Sequence, residues 1–132
     1  MDHHVNGTDC PLCKDKLLQA DMKLQIWFLR DVKPHWPSTH ISWSYRDEAN
    51  QEQAFKDGKS RLHFPNSAHN KRDAILLTPC AKALDLFQLF AGEAHFPIQL
   101  YQAIADSLDH GLMRWGGTFK DLGDSDHFEL IS

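Results

Sequence analysis

HGLMRWGGTFKDLGDSDHFELIS, residues 110–132, is the stretch on which the fold turns. Residues 112–115 read as a short strand, Gly116 and Gly117 as a turn, and residues 127–131 as a second, β-type run. In that run Phe128 and Leu130 fall on the face opposite His127, because strand side chains alternate. One face therefore suits a core and the other carries an imidazole. Asp124 stands three residues before His127, in the turn that leads into the strand. An acid and a histidine at one strand end are suggestive of a site but do not define one.

Working outward, residues 96–109 show helical periodicity, with Ile98, Tyr101, Ala105 and Leu108 on one face and Gly111 as the stop. Residues 83–87 (ALDLF) are a short apolar run with Asp85 in its middle. An ionised carboxylate in such surroundings is costly unless it is paired or metal-bound. Residues 58–82 are loop-like, and a loop of that length in a small domain is usually functional or disordered. Residues 48–57 predict a helix capped by Asp47 and ended by Gly58. Residues 39–45 alternate as a strand, with Ile41, Trp43 and Tyr45 on one face and His40, Ser42 and Ser44 on the other. Residues 14–32 predict one amphipathic helix, with Leu17, Ala20, Leu24, Trp27 and Phe28 inward and Pro34 and Pro37 beyond its end. Residues 1–12 are polar and predict a frayed terminus. The sum is an α+β chain, a small antiparallel sheet packed with helices, in a single domain over 1–132.

Length and composition agree. A chain of 132 residues can build one core, and 42% hydrophobic with 24% charged residues is ordinary for a globular protein. A net charge of −4 excludes binding driven by phosphate neutralisation, so no nucleic-acid partner is expected. No apolar run approaches membrane-spanning length and no signal-peptide pattern is visible. The expectation is a protein made in the cytoplasm and not inserted in a membrane.

Nine histidines raise the prior for a metal or acid–base site. The three cysteines, Cys10, Cys13 and Cys80, are an odd number and do not suggest a disulfide framework. Cys10 and Cys13 form a lone Cys-x-x-Cys. It reads as half of a zinc knuckle (with His3 or His4), as a redox pair, or, most simply, as two free thiols near a terminus.

Six blocks in order carry a resemblance: SYRDEANQ (44–51), GKS (58–60), NSAH (66–69), ALDL (83–86), RWGG (114–117) and DSDHFEL (124–130). Over roughly residues 38–130 the chain resembles the M15 peptidases. These are the zinc D-Ala-D-Ala carboxypeptidases and L-alanyl-D-glutamate endopeptidases of cell-wall peptides, and the likeness is nearest to their phage endolysin branch. The resemblance implies a Hedgehog/DD-peptidase-like fold and a bound Zn2+ held by His69, Asp85 and His127. It implies Asp124 as general base, with Asp126 as competitor. Asp124 is preferred because a strand neighbour of His127 would point to the other face. Arg46 would stabilise the oxyanion; without the family it reads equally as a surface ion-pair partner. Gln51 would orient substrate, and Ser67 would hydrogen-bond the substrate or the ligands. His35, His40, His63, His95 and His110 are expected to be surface or satisfied residues, and Trp115 core.

One departure stands out. Many family members place the first His and the Asp seven residues apart, with a Gly between. Here Asp85 stands sixteen positions after His69 and none of the residues between is Gly. Closure entropy grows slowly with loop length, so a site can tolerate an insertion; Asp73 is the fallback ligand. The implied substrate is the peptidoglycan stem peptide, cut most readily between L-Ala and D-Glu, with D-Ala-D-Ala carboxypeptidase action as the alternative. A non-catalytic zinc-stabilised binding module is the competing class. An enzyme made without a signal would act on the wall after release and would need a holin or similar export partner.

Overall fold

The computed structural model describes residue 10, residues 13–118 and residues 124–131. The expected frayed terminus lies outside them apart from Cys10, as do His3 and His4. Chain order is α1 (Lys14–Leu18), α2 (Met22–Trp27), a π-helical turn (Phe28–Val32), β1 (Thr39–Trp43), α3 (Glu48–Lys56), a 3-10 turn (Ala68–Asn70), β2 (Ala83–Phe90), β3 (Glu93–His95), α4 (Ile98–Asp106), β4 (Met113–Trp115), a second 3-10 turn (Gly116–Thr118) and β5 (His127–Leu130).

The sheet is antiparallel throughout, in the order β1-β2-β5-β4, with β3 also paired to β2. The long strand β2 holds it together. β1 pairs along one edge, and β5 followed by β3 along the other. Alternation along β2 sends Leu84 and Leu86 into the core and leaves Asp85 on the other face. Phe128 and Leu130 of β5 also join the core. Leu24, Trp27 and Phe28 of the N-terminal helices and Tyr101, Ile104 and Ala105 of α4 complete it. Phe128 sits at its centre, with ring centroids 5.5 Å from Trp27 and 6.3 Å from Tyr101.

Several expectations change in detail. The single helix over 14–32 is broken at Ala20, which bridges to Ala81. Asp21 then caps α2 by accepting from the Lys23 N–H at 2.8 Å. Asp47 caps α3 as expected, accepting from Asn50 N–H. Gly58 follows α3 at φ +73°, a conformation that costs glycine little. The apolar run at 83–87 is a strand that extends to Phe90, and β3 has no counterpart in the sequence reading. The turn between them, Ala91-Gly92, has both residues at positive φ, as a tight hairpin requires. Ala91 is a poor residue for that conformation, so the usual Asn-Gly signal is missing. Ile98, expected inward, is exposed, and Ile104 takes the buried place. A register shift between Ile41 and Trp43 turns Trp43 partly outward instead of into the core.

Because Phe128 is fully buried between helix and helix, Phe128→Ala is expected to lower unfolding stability by about 3–5 kcal/mol. Urea denaturation followed by far-UV circular dichroism checks it; a loss under about 1 kcal/mol would contradict this placement of the core.

Candidate metal centre

Three elements deliver three side chains to one point. His69 comes from the 3-10 turn, Asp85 from β2 and His127 from β5. Asp85 and His127 are direct cross-strand partners, so their side chains share a face. The turn that carries His69 is fixed by a capping box. The Ser67 hydroxyl accepts from the His69 N–H, and the Asn70 side-chain oxygen accepts from the Ser67 N–H. All three side chains are buried.

The donor atoms form a near-equilateral triangle. His69 Nε2 lies 3.1 Å from Asp85 Oδ1 and 3.2 Å from His127 Nδ1, and His127 Nδ1 lies 3.0 Å from Asp85 Oδ1. The remaining ring nitrogens show which atoms face inward as lone pairs. His69 Nδ1–H donates to the Ser44 carbonyl at 2.7 Å, and His127 Nε2–H donates to Glu129 Oε1 at 2.6 Å. In the neutral tautomers Nε2 of His69 and Nδ1 of His127 are therefore acceptors, facing each other and a carboxylate oxygen. Three acceptors at this separation repel unless a cation lies among them. A tetrahedral metal with bonds of about 2.0–2.1 Å sets its ligands roughly 3.3 Å apart, so the group could bind a metal ion. The outer partners, a carboxylate and a backbone carbonyl, are those that orient metal-bound imidazoles.

The electrostatics agree. Burial pushes the Asp85 carboxyl up, but His69 and His127 outweigh it and hold Asp85 well below the usual carboxylate range. Burial lowers His127, while Asp85 and Glu129 overcome this and raise it to about 10. Without a metal the site thus takes up a proton in its place. Glu129 is desolvated too, yet His127 and Arg114 hold it low. Arg114 Nη2 reaches Glu129 Oε2 at 2.7 Å across the β4–β5 pair.

A cleft of about 820 Å³ opens over the triangle, with Trp43, Arg46, Phe96, Asp124 and Asp126 among its walls. Asp124 Oδ2 stands 3.8 Å from His127 Nδ1, near the centre but outside the triangle. Gly116 makes this approach possible. Its carbonyl accepts from the Asp124 N–H at 3.0 Å, and a Cβ there would overlap the Asp124 carbonyl oxygen and crowd the His127 Cβ. Asp126 also faces the cleft. It lies in the turn before β5, so strand alternation does not send it to the opposite face. Burial, then Asp85 and Asp124, push Asp126 up to about 8.

The other expected residues fall in mixed places. Arg46 is buried, 3.5 Å from Asp85 Oδ2, with its guanidinium over the Trp43 ring at 4.9 Å. It is a cleft residue bound to a site carboxylate, not a surface ion-pair partner. Gln51 is fully buried behind Arg46 and does not line the cleft. Its Oε1 accepts from Arg46 at 3.1 Å and Asn70 at 3.2 Å, and its Nε2 donates to Ser60 and to the Leu62 carbonyl. With its amide so engaged it holds Arg46 in place. Ser67 lines the cleft with its hydroxyl given to the turn. Asp73 is not part of the donor group, and its Oδ1 accepts from the Ile75 and Leu76 N–H groups. Glu129 and Asn70 were not foreseen. Both had a signal: Glu129 is two residues from His127 and so on its face, and Ser67-x-x-Asn70 has capping-box spacing.

The long spacer closes on itself. Cys80 N–H donates to the Lys71 carbonyl and Asp73 N–H to the Thr78 carbonyl, so residues 71–80 leave and return at nearly one point. His69 and Asp85 meet despite the insertion.

No family model matches the chain, and no curated protein does. Among solved structures the fold is similar to that titled as the crystal structure of Serratia marcescens L-Ala D-Glu endopeptidase ChiX. The TM-score is 0.69 at 21% identity, over 92% of this chain and 87% of that one. The α+β architecture is thus shared with a peptidase over nearly the whole of both chains. Among the described residues no helix is long and apolar enough to cross a membrane.

Two outcomes follow from the centre. In the metal-free chain His127 is raised from 6.5 to about 10, so its stabilising contribution is complete below pH 6.5 and is lost as pH rises towards 10. Thermal melts of chelated protein should fall over that window, and metal-loaded protein should not follow them. Glu129→Ala should weaken metal binding about 10–100-fold in a chelator competition, because it frees the His127 ring. Asp73→Ala should leave the affinity unchanged.

Proposed function

We propose that the chain is a zinc-dependent peptidase that hydrolyses a peptide bond in the peptidoglycan stem peptide, and that the bond is L-Ala–D-Glu. The observation that carries this is the triangle of two imidazole lone pairs and one carboxylate oxygen at the floor of a cleft, with a further carboxylate, Asp124, beside it. Two His and one carboxylate are a donor set that leaves zinc a net positive charge and an open position, as a catalytic site needs and a purely structural one does not. The fold shared with a protein titled as an L-Ala D-Glu endopeptidase supports the choice of bond.

His69, Asp85 and His127 would hold the zinc, which when bound supplies Lewis acidity and an acidified water. Asp124 accepts the proton of the attacking water and passes it to the leaving amine. Its place outside the triangle leaves it free to do so. Arg46, fixed by Asp85, Gln51 and the Trp43 ring, offers a guanidinium to charge developing on the substrate carbonyl oxygen. Ser67 and Asn70 hold the His69 turn. The exposed Phe96 and Trp43 give the cleft apolar walls for the peptide.

Digestion of purified peptidoglycan, with fragments read by mass spectrometry, tests the proposal. Wild type should release fragments ending in L-Ala and beginning in D-Glu. Asp124→Asn should lose at least about 100-fold in rate while keeping its metal. Asp126→Asn should retain most activity. Loss of a terminal D-Ala instead would make the chain a carboxypeptidase of the same chemistry. No hydrolysis by a zinc-loaded, folded wild type would favour a binding module.

A further inference from the structure

Cys10, Cys13 and His40 play no part in the centre described above, and they form a second group of converging donors. The thiols of Cys10 and Cys13 lie 3.3 and 3.5 Å from His40 Nδ1, across 30 and 27 residues of chain. None of the three residues has exposed surface. At the start of α1 the Cys13 and Lys14 N–H groups both donate to the Cys10 carbonyl. His40 stands on β1, opposite Phe87 of β2. Cys13 also receives a hydrogen bond from the backbone of Ile41, the residue after His40.

We propose that Cys10, Cys13 and His40 supply three of the four donors for a thiophilic divalent cation, zinc by ligand preference, at a buried centre separate from the His69–Asp85–His127 site. Two sulfurs and an imidazole are a soft set that selects zinc over magnesium or calcium. With metal–sulfur bonds of about 2.3 Å and a metal–nitrogen bond of about 2.0–2.1 Å, a tetrahedral ion places sulfur and nitrogen roughly 3.5 Å apart. The two observed separations match. His40 Nδ1 lies 3.3 Å from the buried Lys33 ammonium, which can only donate, so Nδ1 carries its lone pair there and an ion would take that lone pair over from Lys33. Lys33 also donates to the Pro37 and Thr39 carbonyls at 2.7 Å each. Among the described residues no carboxylate forms an ion pair with it. Cys10 and Cys13 lie close enough to Lys33 to act on it electrostatically, and binding of a dication releases the two thiol protons to solvent and leaves two thiolates beside it. The ion would tie the start of α1 to an edge strand, closing a loop of some thirty residues around the core.

Cobalt substitution tests this without relying on a variant. Metal-free, reduced wild type is titrated with Co2+ and the near-ultraviolet thiolate-to-cobalt charge-transfer band is recorded. The expected result is about two ions per chain with the band present. His127→Ala should keep the band and bind about one ion. Cys10→Ser with Cys13→Ser should lose the band, and His40→Cys should retain it. A wild type that binds cobalt without the band overturns the proposal and leaves the His69–Asp85–His127 reading standing. So does a Cys10–Cys13 disulfide found by mass spectrometry in protein purified without reductant but loaded with zinc.

Discussion

The pairing of Asp85 with His127 across β2 and β5 is the constraint on which the site depends. Side chains directly opposite each other in an antiparallel pair share a face, and this pair puts a carboxylate oxygen 3.0 Å from a ring nitrogen. A slip of one residue would turn every side chain of β5 to the other face, sending His127 into the core and Phe128 into the cleft. Leu84, Leu86, Phe128 and Leu130 oppose that slip, because they are buried only in the observed register. The core therefore specifies the site. The apolar residues that stabilise the sheet are also what holds the polar ones in between on the cleft face.

Each donor is then fixed from behind. His69 is held by a carbonyl of the chain leaving β1, His127 by Glu129, and Asp85 by Arg46. These contacts turn the inner donor atoms of His69, Asp85 and His127 toward one another. Concentrating acceptors in a buried space is unfavourable for folding alone. A bound cation, or a proton on His127 in its absence, removes the penalty. Arg46 and Gln51 extend the same logic outward. The buried amide orders the guanidinium, which in turn holds the outer oxygen of Asp85 and faces the cleft.

The second donor group has a different character. Cys10, Cys13 and His40 are buried and do not line the cleft over the triangle. Residues that read as two thiols near a terminus and a satisfied histidine become neighbours only when α1 packs against β1. The sequence separations of 30 and 27 residues hid that meeting.

Much of the molecule was legible in the sequence because its signals are local. Alternation in residues 127–131 marked β5 and the face carrying His127, and the apolar run at 83–87 drew attention to Asp85. Periodicity found α4, and Asp47 and Gly58 marked α3 by cap chemistry. What escaped depended on contacts distant in the chain. The break at Ala20 answers to a bridge with Ala81, and the hairpin at Ala91 forms against the preference of its own residue. Trp43 turns outward at a register shift that only the partner strand reveals. The sequence by itself determined which residue types were available as ligands, base and core, since composition and period are properties of the chain. Tertiary structure alone decided that Asp85 and not Asp73 reaches the histidines, that Asp126 shares the cleft with Asp124, and that Gln51 serves Arg46. Each of these is a distance set by packing, and sequence separation carries no measure of it.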